Sequence, residues 1–202
     1  MNIRKLEESD SAAAAIILAD AFDDEPVFRA TITDPMDRHA CLLALFEADV
    51  RNACRYGGAI AVGTEQNGDI GIAYWTSQPE PDRSDAEMAE LGFAAVFSKW
   101  GAVLRPIGDV EGTSHRLLRF LPTPWQYLAG IGVRPEFQGQ GYGSALMRHF
   151  VDEIDRSGQS SGLSTDRPIN VKLYERFGFR VVHHDAETPI GVPFWTMERP
   201  RA

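Results

Sequence analysis

The stretch that decides the fold of this 202-residue chain is Val133-Arg134-Pro135-Glu136-Phe137-Gln138-Gly139-Gln140-Gly141-Tyr142-Gly143-Ser144-Ala145-Leu146. It follows an uncharged apolar run over residues 127–133, which is typical of a strand covered on both faces. After it, apolar residues recur at helical spacing at Leu146, Met147, Phe150, Val151 and Ile154. The sequence therefore predicts a strand, a glycine-rich turn and a buried helix, in that order.

The glycine-rich turn has the features of an anion site. Gly139, Gly141 and Gly143 allow a sharp turn and bring several N–H groups close to a ligand, next to the positive end of the helix dipole. A Walker A loop would need lysine after the last glycine, where this chain has Ser144. A dinucleotide fingerprint fits poorly as well, because the first glycine lies four residues beyond Pro135.

The turn resembles the acyl-coenzyme A signature of the GCN5-related N-acetyltransferases (GNAT), Q/R-x-x-G-x-G/A, preceded by V-x-P. The resemblance implies acetyl-CoA as cosubstrate, with no metal. It also implies that the coenzyme is bound by Ile131, Gly132, Val133, Gln138, Gly139, Gln140, Gly141, Tyr142, Gly143 and Ser144.

A second segment, residues 170–179, resembles the N-x-x-x-Y-E-[RK]-x-G-F motif of the same superfamily. From its residues alone it is a short helix that ends at Gly178. The resemblance implies that the Tyr174 hydroxyl lies near the coenzyme sulfur and protonates the leaving thiolate. From its position, Asn170 can be the N-cap of the helix. The resemblance implies that it also hydrogen-bonds the coenzyme, and the two roles are compatible.

The sequence offers several candidates for the general base. Many members of one bacterial subgroup of these enzymes, which this chain also resembles, carry Leu-Glu-Thr on the preceding strand, whereas this chain has serine at position 164. Asp166 lies two residues further on, on the same face of the strand, so we expect it to serve as base or else to cap the following helix. His115, His183 and His184 are the alternatives.

Composition limits the partners. The net charge of −9 and the absence of a basic cluster argue against nucleic acid and anionic membranes. With no transmembrane or signal segment in the sequence, we expect one cytoplasmic domain over residues 1–202. The expected acceptor is the amine of a small molecule or peptide, and a homodimer is compatible with the sequence.

The remaining patterns predict an α/β fold, with a GNAT-type mixed, twisted central sheet flanked by helices. Helices are predicted over 11–22 and 36–56, and strands over 2–6, 59–64, 70–76, 161–165, 179–183 and 194–198. Residues 84–120 form a predicted helical insertion before the fourth strand, broken at Pro106. This insertion either walls the acceptor site or merely pads the sheet.

Several segments resemble the bacterial subgroup that includes puromycin N-acetyltransferase, among them residues 21–26 and 191–197. The resemblance implies an N-acetyltransferase in which the amine attacks acetyl-CoA directly in a ternary complex. The alternative is a module that binds acyl-CoA with little or no turnover, and Ser164 is the residue that favours it.

Overall fold

A seven-stranded mixed sheet forms the centre of the protein in our computed structural model, which describes residues 1–201. Its order is β1-β2-β3-β4-β5-β7-β6, and β4 and β5 are the parallel pair among otherwise antiparallel neighbours. The strands are β1 (Asn2–Lys5), β2 (Gly57–Thr64), β3 (Gly68–Gln78), β4 (Trp125–Val133), β5 (Ser160–Thr165), β6 (Arg180–Asp185) and β7 (Phe194–Arg199).

Helices cover both faces of the sheet. On one face the apolar side of α6 packs Leu146, Met147 and Phe150 against Trp75 of β3. On the other face α1, α3 and α5 bury a second core. The helices are α1 (Ser11–Phe22), α2 (Pro26–Thr31), α3 (Pro35–Tyr56), α4 (Asp85–Leu91), α5 (Phe93–Leu117), α6 (Tyr142–Ser157) and α7 (Pro168–Glu175).

The α/β fold, the mixed sheet and the helical insertion before the fourth strand are confirmed. The break predicted at Pro106 is wrong, because the helical insertion is interrupted at Gly92, whose φ of +101° ends α4, and α5 continues through Pro106. Proline removes one N–H donor there, and the carbonyl four residues earlier belongs to the exposed Ala102, where water can bind it. The short helix α2 was not predicted.

Within residues 1–201, no helix combines the length and the apolar character needed to cross a membrane.

Candidate active site

Strands β4 and β5 pair only over their first halves. The pairing runs from Trp125 opposite Ser160 to Leu128 opposite Leu163, and residues 129–133 have no partner on β5. At the point of separation, Tyr74 pairs with Gly130 and Trp75 with Leu128, so Ala129 is an extra residue in β4. Such a bulge bends a strand and ends regular pairing. The result is a gap between two neighbouring strands in the middle of the sheet.

Main-chain groups of β4 face this gap. The Arg134 N–H donates to the Ile70 carbonyl on β3 at 3.0 Å. Main-chain groups alternate in direction along an antiparallel strand, so the N–H groups of Val133 and Ile131 point away from β3. Gly132 lies between them, and its main chain faces β3. Two of the three predicted β4 ligands, Ile131 and Val133, therefore present main-chain N–H groups to the gap.

The glycine turn lies directly beyond the gap. Gly139 and Gly141 have φ of +74° and +89°, which favour glycine. Helix α6 begins at Tyr142, and because its N-cap residue is Gly141, no side chain covers its first N–H groups. A Cβ added to Gly139 or Gly141 would meet no atom within 4 Å, so both face open space. The Gln138 and Gln140 amides hold the turn by donating to the carbonyls of Val133 and Glu136, at 3.0 and 3.1 Å.

A cavity of about 340 Å³ opens beside the gap, within the ~300–1,000 Å³ range of small-ligand sites. Ala129, Gly130 and Ile131 of β4 form part of its lining, opposite Asn170 and Tyr174 of α7. Its apolar walls come from α2, α3 and α5: Val27, Phe28, Leu45, Phe46, Phe93, Leu104 and Ile107. The helical insertion therefore forms a wall of this cavity.

The comparison with known families agrees with this geometry. Residues 86–181 match the family described as "Acetyltransferase (GNAT) domain", and this range includes α5, β4, the glycine turn and α7. This range spans 96 of the 202 residues, so the similarity to the GNAT family covers slightly less than half of the chain. The matching family is described only as GNAT, so it does not distinguish the subgroup that includes puromycin N-acetyltransferase.

Proteins similar to this chain include an N-acetyltransferase. The [Ribosomal protein bS18]-alanine N-acetyltransferase of Escherichia coli (strain K12) is 38% identical over 55 residues, which are 26% of this chain and 37% of that protein. This match therefore spans well under half the length of the relative.

Solved structures share the GNAT fold over nearly the whole chain. A Corynebacterium glutamicum protein described as histone acetyltransferase HPA2 and related acetyltransferase has a TM-score of 0.69 and 23% identity, covering 100% of this chain and 96% of its own. The Drosophila melanogaster polyamine N acetyltransferase has a TM-score of 0.62 and 17% identity, with 98% of each chain covered.

Tyr174, on α7, is 5% exposed and packs edge-on against Phe179, while it also lines the cavity. Burial, followed by the nearby charges of Glu25 and Asp166, raises the pKa of Tyr174 well above its usual range, so its hydroxyl stays protonated at neutral pH. A protonated hydroxyl in this place is suited to donate a proton into the cavity.

The capping roles considered for Asn170 and Asp166 are wrong. Helix α7 begins two residues before Asn170, and its N-cap position is Arg167 with no side-chain cap. Asn170 instead donates to the Thr165 hydroxyl at 3.3 Å and lines the cavity. Asp166 accepts the Val27 N–H at 2.8 Å, so it caps the first turn of α2, which is far away in sequence.

Of the histidines considered as bases, His115 lines the cavity, with its ring 4.0 Å from the Tyr127 ring between centroids. Burial lowers the pKa of His115, so its imidazole is neutral at pH 7. His183 and His184 lie on the exposed edge strand β6, outside this cavity.

Sequence reasoning missed four carboxyl groups that line the cavity: Glu25, Asp49, Glu80 and Glu111. Burial raises the pKa of Glu25 and of Asp49 to about 7, and a neighbouring carboxylate adds to each effect, Asp166 for Glu25 and Glu111 for Asp49. Glu111 is exposed to solvent at the cavity. No motif marks these four residues, because they come from two loops and two separate helices. Only Glu25 had a signal, as part of the acidic run before Pro26.

Proposed function

We propose that this protein is an acetyl-CoA-dependent N-acetyltransferase that acts on the amine of a small molecule or peptide. The observation that carries the proposal is the continuity of three features: the unpaired edge of β4, the glycine turn at its end, and the cavity beside it that contains Tyr174. A thioester arm, its phosphates and the reacting groups each need one of these features.

The residues present fit the coenzyme. The N–H groups of Tyr142, Gly143 and Ser144 start α6 and have no carbonyl partner within the helix, so they and the helix dipole favour phosphate. Open space at Gly139 and Gly141 allows close approach of the ligand. The edge of β4 at Ile131 and Val133 can pair with an amide-containing arm as an added strand would. We infer that Asn170 adds a side-chain contact.

The bound thioester would supply an activated acetyl group. Attack forms an N–C bond while the C–S bond breaks, so the amine loses a proton and the thiolate gains one. We assign proton donation to Tyr174. The Val133 N–H, which points into the gap, is suited to stabilise the oxyanion. Direct attack in a ternary complex follows from holding both reactants at the junction of gap and cavity.

We propose Asp166 as the general base that accepts the proton of the amine. An amine with a pKa near ~10 is mostly protonated at pH 7, so a base must take its proton. Asp166 is 6% exposed, lines the cavity, and has one carboxylate oxygen left after its bond with Val27. The neighbouring Glu25 forms an ion pair with Arg167 at 2.6 Å, whereas Asp166 forms no ion pair within residues 1–201. Asp166 is therefore the carboxylate of the two that is more available to accept a proton.

An amine acceptor is supported by the names of the similar proteins, which include a ribosomal-protein alanine and a polyamine N-acetyltransferase. We further propose a cytoplasmic enzyme of the bacterial subgroup resembling puromycin N-acetyltransferase, with no nucleic-acid or membrane partner and no metal. A homodimer is compatible with this proposal.

A second candidate function is acyl-CoA binding with little turnover. Ser164 favours it, because its hydroxyl lies 2.6 Å from the Tyr127 hydroxyl and cannot act as a carboxylate base. A thermal-shift assay tests the shared part of both functions. Acetyl-CoA should raise the melting temperature while ATP and NAD do not, and an equal shift with NAD would contradict the assignment. Release of coenzyme A thiol across an amine panel then separates enzyme from binding module.

A further inference from the structure

The cavity is lined by five carboxylates, and among its described lining residues there is no Lys or Arg. Two of these carboxylates are paired with a cation, Glu25 with Arg167 and Glu80 with Arg83, each at 2.6 Å. A third, Asp166, accepts the Val27 N–H and is the proposed base for the reacting amine. The carboxylates left for a second positive charge are therefore Asp49 and Glu111.

Asp49 on α3 and Glu111 on α5 both line the cavity, and the charge of Glu111 contributes to the raised pKa of Asp49. Asp49 has one partner, the Tyr74 hydroxyl at 3.2 Å, and Glu111 has no hydrogen bond or ion pair within residues 1–201. Asp49 is half-buried and Glu111 is exposed to solvent. Two neighbouring carboxylates repel each other when both are ionised, unless one takes up a proton or a cation joins them. Glu111 is open to the cavity, so a ligand can reach it.

An independent observation indicates a ligand at the same place. Asn52 lies one helical turn after Asp49 on α3, lines the cavity and is 6% exposed, yet its Oδ1 has no hydrogen-bond partner. A buried acceptor of this kind is normally satisfied. An ammonium group offers three donors and no acceptor, which complements an amide oxygen and two carboxylates.

We propose that Asp49, Asn52 and Glu111 bind a second positive charge of the acceptor, so that the preferred substrates are small aliphatic diamines. One amine takes part in the reaction beside β4, and the other is held by these three residues. The apolar walls at Phe46, Leu104 and Ile107 suit a short methylene chain between the two. This inference rests on the proposed acetyl transfer, and it adds the substrate class.

The test compares 1,4-diaminobutane with butylamine, which has the same chain and one charge fewer. We expect kcat/KM to be about 10- to 100-fold higher for the diamine, the range of one charged hydrogen-bonded contact. Glu111→Gln should remove most of this preference by raising KM for the diamine, with kcat and the butylamine kinetics nearly unchanged. Asp109→Asn, the same change of charge on the same helix but outside this cavity, should preserve the preference.

Calorimetry with 1,4-diaminobutane, performed on the protein with coenzyme A, reports binding without turnover. Weaker diamine binding by Glu111→Gln than by Asp109→Asn would support the inference even where no amine is acetylated, and in that case only the proposed function fails. Equal kcat/KM for the diamine and butylamine would overturn the inference and leave the proposed function intact. Two other results would also overturn it. One is an equal loss of kcat for both amines in Glu111→Gln, and the other is a preference for a peptide whose only positive charge is its free N-terminus.

Discussion

Replacing Gly141 by valine tests the glycine turn as the binding site of the coenzyme. Gly141 has a φ of +89°, so a β-branched residue there is strained by roughly 1–3 kcal/mol. No atom lies within 4 Å of the added Cβ, so no clash adds to this cost and the fold should survive. For a domain of this size we expect the melting temperature without ligand to fall by roughly 2–12 °C.

The ligand effect is the decisive part of this test. At about one hundred times its dissociation constant, acetyl-CoA adds roughly 2.7 kcal/mol to the stability of the wild-type protein, which corresponds to roughly 5–11 °C. The valine side chain occupies the space that the phosphates need, so Gly141→Val should show almost no shift in the thermal-shift assay.

Gly143→Ala is the matched control. Gly143 lies inside α6, and a Cβ there would meet Val133 at an ordinary 3.9 Å. Alanine favours a helix over glycine by roughly 1 kcal/mol, and the GNAT signature accepts alanine at this position, so this variant should be at least as stable as wild type and keep the shift. A wild-type acetyl-CoA shift in Gly141→Val would refute the assignment of the turn.

Three further predictions concern the cavity. Tyr174→Phe should lower turnover about 10²-fold or more with little change in acetyl-CoA affinity, because only the transition state loses a proton donor; unchanged turnover would make the tyrosine purely structural. Asp166→Asn should lower turnover by a similar factor, but its melting temperature should change little, because the amide oxygen can still accept the Val27 N–H. Ser164→Glu should restore or raise activity by supplying a carboxylate. Full activity in Asp166→Asn would remove that residue from the mechanism. The pKa of Asp49 is raised to about 7 in the folded protein, so the folded state holds the proton more tightly and its stability falls as pH rises from about 4 to 7. Asp49→Asn should therefore be similar to wild type at pH 4 and more stable at pH 8 by roughly 1–2 kcal/mol, as measured by urea unfolding; this is less than the full shift implies, because Asp49 is only half-buried.

The elements around the coenzyme site could be predicted because their signals are local. The apolar run over 127–133, the glycines after it and the spacing of Leu146 and Phe150 each depend on neighbours in sequence, and the structure has the strand, turn and helix where they indicate. The break in the insertion was misplaced for a related reason. Proline is a strong local signal for a helix break. The hydrogen bond that it removes costs the helix little free energy where the partner carbonyl can bind water instead.

The acceptor side of the cavity could not be predicted in the same way. Asp166 carries a local signal for capping α7, yet its carboxylate bonds to the N–H of Val27, a contact that depends on how α2 packs against the end of β5. Asp49 and Glu111 are polar residues on amphipathic helices, where such residues usually face solvent. Their meeting inside a cavity follows from the packing of α3 against α5, which no short pattern encodes.

Acetyl transfer itself is measured by incubating the protein with acetyl-CoA and an amine and following both products. We expect the amine to gain one acetyl group in the mass spectrum and free coenzyme A thiol to appear in equal amount. Both products should depend on enzyme concentration, and both should be strongly reduced in Tyr174→Phe. Tight binding of acetyl-CoA with no acetylated amine and no thiol release above background, for monoamines, diamines and peptides alike, would exclude acetyl transfer and favour the binding module.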